Sequence, residues 1–73
     1  MAPPQTVQFG IELEREEDGR WIAEVPQLPG VMTYAQSRDE AMARVQALAL
    51  RVLAERLEHG EAPEFLTVSF RAA

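Results

Sequence analysis

The sequence predicts an α+β domain with two layers, in which a four-stranded, mostly antiparallel sheet carries one helix on one face. Residues 6–14 alternate between apolar and polar side chains, which is the period of a half-buried strand. An apolar stripe recurs at helical spacing between residues 38 and 59, and glycines and prolines separate the segments. The element order is βββαβ, and the helix must cover one face of the sheet to bury its stripe.

The first strand shows the alternation most clearly. Its inward face is predicted to hold four apolar side chains, those of Val7, Phe9, Ile11 and Leu13. The other face carries polar residues and Gly10, as in an antiparallel strand with one solvated side. Residues 1–5 contain two prolines and are expected to form a loose lead-in to a single domain spanning residues 1–73.

The second strand follows a hairpin at Asp18-Gly19, where glycine can adopt a positive φ without steric cost. Trp21, Ala23 and Val25 should continue the inward face. We expect Trp21 to anchor the core, so that its replacement by alanine costs about 3–5 kcal/mol.

A second turn at Pro29-Gly30 precedes a short third strand. Its inward side chains should be those of Val31, Thr33 and Ala35. Strand alternation then directs Ile22, Met32 and Tyr34 to the open face, away from the helix.

The helix is predicted to start after Ser37 and to run to about His59. Ser37 and Glu40 fit a capping box, in which the hydroxyl and the carboxylate each accept a bond from a free amide. Gly60 is placed to end the helix. The buried stripe should consist of Ala41, Met42, Val45, Leu48, Ala49, Val52 and Leu53.

The last strand should carry Leu66, Val68 and Phe70 on its inward face. A right-handed crossover would place it beside the first strand and parallel to it, giving the sheet order 3-2-1-4. Placement on the other edge is the alternative that the sequence leaves open.

Composition favours a protein partner. The 73 residues include no cysteine, so a marginal core cannot gain stability from disulfides, and association into a homo-oligomer (a dimer) is expected. The net charge of −5 and seven scattered arginines disfavour direct nucleic-acid binding and suit a basic partner. Neither a signal peptide nor a membrane-spanning run is recognisable, so we expect a cytoplasmic protein with no membrane partner.

Residues that could perform chemistry are few. Glu12, Glu14 and Glu24 share one sheet face and could hold magnesium for phosphodiester cleavage, but glutamates on a solvated strand face are ordinary. His59 is the single histidine and suits the C-terminal end of the helix. We therefore expect no enzyme, with no catalytic, cofactor-binding or metal residues, and retain a metal-dependent nuclease as the alternative.

Exposed apolar residues indicate an interaction surface instead. Ile22, Met32 and Tyr34 should cluster on the open face, and such clusters often mark contacts in small proteins. Leu50 and Leu57 lie off the buried helical stripe beside three alanines, which suggests a subunit interface.

The strand pair around Asp18-Gly19, the loop Val25-Pro26-Gln27-Leu28-Pro29-Gly30-Val31 and the helix start Ser37-Arg38-Asp39-Glu40-Ala41 together resemble the HicB-like antitoxin family. The resemblance covers about residues 7–70. It implies a truncated ribonuclease-H-like βββαβ fold, dimerisation, and binding to HicA, a small basic toxin that cleaves mRNA.

The chain differs from the family pattern in the loop and in the segment before the helix. Val31 stands where cysteine is frequent, and Ala35-Gln36 stand where Gly-Asp is frequent. The chain also ends at Ala73, so we expect a stand-alone N-terminal domain without the DNA-binding domain of full-length members. A toxin-neutralising interaction module is the preferred function, and an oligomeric scaffold without a toxin is a further alternative.

Overall fold

A computed structural model describes residues 5–61 and 65–72 of the chain. Its secondary structure follows the predicted order βββαβ. The elements are β1 (Gln5–Arg15), β2 (Trp21–Glu24), β3 (Met32–Ala35), α1 (Arg38–Glu58) and β4 (Phe65–Ala72). The first strand begins at Gln5, one residue before the predicted Thr6.

The four strands form one mixed sheet in the order β3-β2-β1-β4, which confirms the predicted order. The strand β2 pairs antiparallel with both β1 and β3, whereas β4 lies parallel to β1. The alternative placement of β4 on the other edge is therefore wrong. The crossover through α1 explains this result, because it returns the chain to the free edge of β1.

The core lies between the sheet and the helix, and the predicted strand phasing is confirmed. Fully or nearly fully buried side chains come from all three strands of the meander, from the loop after β2 and from the helix: Phe9, Ile11, Ala23, Val25, Leu28, Val31, Ala35, Ala41, Val45, Ala49 and Leu53. Val68 and Phe70 of β4 pack against this cluster. The side chain of Leu66 lies outside the described residues.

Trp21 differs from the expectation. It packs against the core but remains partly exposed, because it stands at the first position of β2, where the sheet ends. The largest fully buried side chains are instead those of Ile11, Val25, Val31 and Val45. The deep core is thus aliphatic, and Trp21 covers its rim.

The helix begins and ends close to the predicted positions. Ser37 is the N-cap, and its hydroxyl accepts a hydrogen bond from the amide of Glu40 at 3.1 Å. The second half of the predicted capping box is replaced by an ion pair, since the Glu40 carboxylate lies 2.6 Å from Nη2 of Arg44. Gly60 follows the helix with φ of +68°, as the C-terminal signal predicted.

The loop between β2 and β3 is a compact hydrogen-bonded turn. The amide of Val25 donates to the carbonyl of Val31, that of Val31 to Leu28, and that of Leu28 to Val25, each at 3.0 Å. Gly30 has φ of +86° at the turn. This closed loop buries Leu28 and fixes where β3 begins.

No helix within residues 5–61 and 65–72 has the length and apolar character needed to cross a membrane.

The helix α1 packs chiefly against β2 and β3. The other half of the sheet is joined by an aromatic pair, in which the rings of Phe9 and Phe70 lie 5.8 Å apart. The helix therefore covers mainly the β2–β3 half of one sheet face, and the opposite face is open.

Candidate interaction surface

The open face of the sheet contains two rows of side chains that run across the strands. Strand pairing places Glu12 opposite Glu24, which in turn lies opposite Met32. The next row contains Glu14, Ile22 and Tyr34 in the same order. Apolar side chains of β2 and β3 thus stand beside three carboxylates, and we call these six residues the open-face surface.

The predicted apolar group is confirmed in position. Tyr34 is 38% exposed and Met32 44% exposed, and Ile22 is partly exposed between them and β1. Cross-strand neighbours stand roughly 5 Å apart. The three side chains consequently form one continuous apolar strip at the β3 side of the face.

The carboxylates surround a shallow depression of about 360 Å³, which is lined by Glu12, Leu13, Glu14, Ile22 and Glu24. Like charges directly opposite each other on neighbouring strands are unfavourable. The Glu12–Glu24 pair is such a case, and both residues are exposed. Among the residues that the structure describes, no arginine forms an ion pair with these three glutamates. The surface therefore combines an apolar strip with negative charge, the combination that attracts cationic groups on aliphatic stems.

Arg20 is a member of this region that the sequence interpretation did not identify. Its guanidinium carbon lies 4.7 Å from the centre of the Tyr34 ring, a cation–π contact. Its Nε donates to Oδ2 of Asp18 at 2.7 Å. The available signal was the strand alternation, since Arg20 is two residues before Ile22 and so shares its face.

A second depression, of about 490 Å³, lies towards β4 on the open side of the sheet. It is lined by Gln8, Gly10, Gln27, Arg71 and Ala72. Gly10 stands opposite Arg71 in the parallel register. Positive charge at this end contrasts with the carboxylates at the other, so the face is electrostatically asymmetric.

Leu50 and Leu57 lie on a different surface. They are 50% and 40% exposed on the side of α1 opposite its buried stripe. With three exposed alanines they form what we call the outer helix seam, made of Ala43, Ala47, Leu50, Ala54 and Leu57. The five residues predicted for interaction thus occupy two surfaces on opposite sides of the domain.

Within residues 5–61 and 65–72 there is no group of three or more histidine, cysteine, aspartate or glutamate side chains that could hold a metal ion. Glu12, Glu14 and Glu24 share a face without converging on one point. His59 lies at the helix end, where its Nδ1 is 2.7 Å from the carbonyl of Glu55.

Comparison with known proteins gives two relatives of similar length. A UPF0150 protein of Archaeoglobus fulgidus is 40% identical over 62 residues, covering 85% of this chain and 88% of that protein. A UPF0150 protein of Synechocystis is 31% identical over 61 residues, covering 84% of this chain and 87% of that protein. No family model matches the chain, and no solved structure gives a significant match. The extent and identity of the first alignment show that the chain belongs to the UPF0150 family.

Proposed function

We propose that this protein is a non-enzymatic interaction module whose open-face surface binds a small basic protein. The proposal extends to a cytoplasmic role like that of the toxin-neutralising domain of HicB antitoxins, with a HicA-like mRNA-cleaving toxin as the partner. The single observation that carries it is the Glu12–Glu24 pair beside the exposed strip of Ile22, Met32 and Tyr34.

Charge is the first support. The chain has a net charge of −5, and the three glutamates of the open-face surface occupy two adjacent cross-strand rows. A field of this sign speeds the approach of a basic protein and disfavours a phosphate backbone. Lysine or arginine side chains of the partner would relieve the repulsion between Glu12 and Glu24 on binding.

Apolar contact is the second support. Charged rims contribute mainly to association rate and specificity, whereas buried aromatic and aliphatic anchors contribute most of the affinity. Tyr34 and Met32 are exposed and Ile22 is partly exposed, so they are the anchors this surface offers. Arg20 already stacks on Tyr34 and would have to share or leave the ring when a partner binds.

The test is binding and rescue with a HicA-like protein from the same genome. The wild-type chain should bind it by calorimetry and restore growth of cells that express it. Met32→Ser and Glu24→Gln should each weaken binding by about tenfold, which corresponds to about 1.4 kcal/mol. Glu61→Gln removes an equal charge from an exposed position beyond the helix and should change the affinity little.

Three outcomes would contradict the proposal. Absence of both binding and rescue would favour the scaffold alternative. Equal weakening by Glu24→Gln and Glu61→Gln would show that only net charge matters. RNA cleavage that requires magnesium or manganese and disappears in Glu12→Gln would favour the nuclease alternative.

A further inference from the structure

The outer helix seam has the spacing of a helix-pairing surface. Its members recur at alternating steps of four and three residues, which is the pattern of the a and d positions of a coiled coil. At 100° per residue the centre of the seam lies about 140° around the helix from the centre of the buried residues Ala41, Val45, Ala49 and Leu53. The helix is thus apolar on both sides, although the sheet of its own chain covers only one.

We infer that the outer helix seam binds the same seam of a second copy of this chain, with the two helices antiparallel. The seam is complementary to itself in that orientation. A twofold axis beside Leu50 places Ala43 against Leu57 of the second copy, so that a small side chain meets a large one at both ends. It also brings Ala47 against Ala54, where two methyl groups allow the backbones to approach closely.

The charges beside the seam favour the antiparallel orientation. Arg44 and Glu58 flank the seam on the same side, two heptads apart, and the twofold axis brings Arg44 of each copy near Glu58 of the other. A parallel pair would instead set Glu40, one heptad before Ala47, against its own counterpart. It would also align the two helix dipoles, which is unfavourable.

Arg44 makes two contacts within its own chain, but its side chain is still 56% exposed and accessible to a second copy. Its Nη1 donates to the carbonyl of Tyr34 at 3.0 Å, and its Nη2 lies 2.6 Å from the Glu40 carboxylate. Both contacts draw the guanidinium towards β3, so Glu58 of the second copy would have to share or replace them. Arg51 lies nearest the axis and faces its own counterpart, the one unfavourable contact of the arrangement.

This inference concerns self-association and stands whether or not a basic partner binds the open-face surface. Light scattering and analytical ultracentrifugation should show a dimer for the wild-type chain. Leu50→Glu would bring two carboxylates together at the axis and should raise the dissociation constant by about tenfold or more. Met32→Glu is the matched control, because Met32 has similar exposure on the opposite side of the domain and its dimer should persist.

Charge reversal tests the orientation. Arg44→Glu should weaken the dimer, and the double variant Arg44→Glu with Glu58→Arg should recover most of the lost affinity. Arg51→Ala should strengthen it. Circular dichroism of each variant establishes that the helix is intact.

Cysteine crosslinking provides the decisive comparison, since the natural sequence has no cysteine. Ala43→Cys chains mixed with Leu57→Cys chains should form a mixed disulfide under mild oxidation, whereas Ala43→Cys alone should give little dimer. Crosslinking of Ala43→Cys to itself would overturn the antiparallel geometry. Two results would overturn the inference as a whole. One is a wild-type chain that stays monomeric at about 100 μM, which corresponds to roughly millimolar affinity or weaker. The other is equal loss of the dimer in Leu50→Glu and Met32→Glu.

Discussion

Glu12 on β1 stands directly opposite Glu24 on β2, and both side chains are exposed on the face of the sheet that the helix leaves open. A sheet built only for stability would place opposite charges or a β-branched pair at such a position. The neighbouring row holds Glu14 beside Ile22 and Tyr34. The Glu12–Glu24 pair therefore lowers the local stability of the sheet, at the same position where a cationic partner would be attracted most strongly.

The first prediction follows from this pair. Glu24→Gln removes the cross-strand repulsion and should stabilise the free protein by about 0.2–1 kcal/mol in urea denaturation. The same change should weaken binding of a basic partner, so stability and affinity should move in opposite directions. If Glu24→Gln destabilises the free protein, then the pair is not repulsive and this account of the open-face surface is wrong.

The fold was largely predictable because strand alternation and helical spacing each fix a face. Once Phe9 and Ile11 are assigned inward, the period of two places Glu12 and Glu14 outward, and the pairing of β1 with β2 extends this to Ile22. The parallel placement of β4 followed from the handedness of crossovers. These are regularities of the backbone, which local sequence carries well.

Features that depend on which of several competing contacts forms were not predictable. Leu28 lies between Pro26 and Pro29 in the sequence. Its burial depends on the loop folding back, which the hydrogen bond between Val25 and Val31 closes. Glu40 reaches Arg44 rather than completing the capping box, because a cation one turn away competes for its carboxylate. Arg20, which directly precedes β2, stacks on Tyr34 of β3.

A second prediction concerns the core. Ile11 is fully buried, so Ile11→Ala should lower the free energy of unfolding by about 2–5 kcal/mol, which combines lost burial with a residual cavity. Met32→Ala, on the exposed open face, should change it by about 0.5 kcal/mol or less. Urea denaturation at one protein concentration measures both. Similar losses in the two variants would place the core elsewhere.

A third prediction concerns acid stability at the β1–β2 hairpin. The backbone amide of Arg20 and then its side chain donate to Asp18, which lowers the pKa of that carboxyl from its ordinary value of 3.8. A lowered pKa in the folded state means that the stabilisation is present above pH 3.8 and is lost as the pH falls through the folded value.

Asp18→Asn should accordingly lower the melting temperature slightly at pH 7, and the difference from wild type should shrink below about pH 4. The effect should be small because the pair is exposed to solvent, and added salt should reduce it. Glu17→Gln is the control, since it removes a carboxylate from the same hairpin and leaves the Asp18–Arg20 bonds intact. If the difference in melting temperature between Asp18→Asn and wild type stays constant from about pH 2 to about pH 7, a range that spans an ordinary carboxyl pKa, this linkage is ruled out.

A fourth prediction concerns Gly30, which lies in the loop that leads into β3 and so into Met32 and Tyr34 of the open-face surface. Its φ of +86° is one that residues with a Cβ adopt at a cost, and no atom beyond its two chain neighbours lies within 4 Å of where a Cβ would stand. Gly30→Ala should therefore destabilise the protein by about 1–2 kcal/mol through backbone conformation alone. Gly10→Ala is the matched control, since the nearest atom to its new Cβ is Nε2 of Gln27 at an ordinary 3.8 Å, and it should cost little.

The functional consequence of Gly30→Ala separates it from an ordinary stability variant. Gly30 directly precedes Val31, whose hydrogen bond with Val25 sets the start of β3 and hence the positions of Met32 and Tyr34. Partner binding should weaken in Gly30→Ala even at temperatures where circular dichroism shows the chain fully folded. Equal destabilisation by Gly30→Ala and Gly10→Ala would show that the positive φ is not the cause. Unchanged affinity in folded Gly30→Ala would show that the loop does not control the open-face surface.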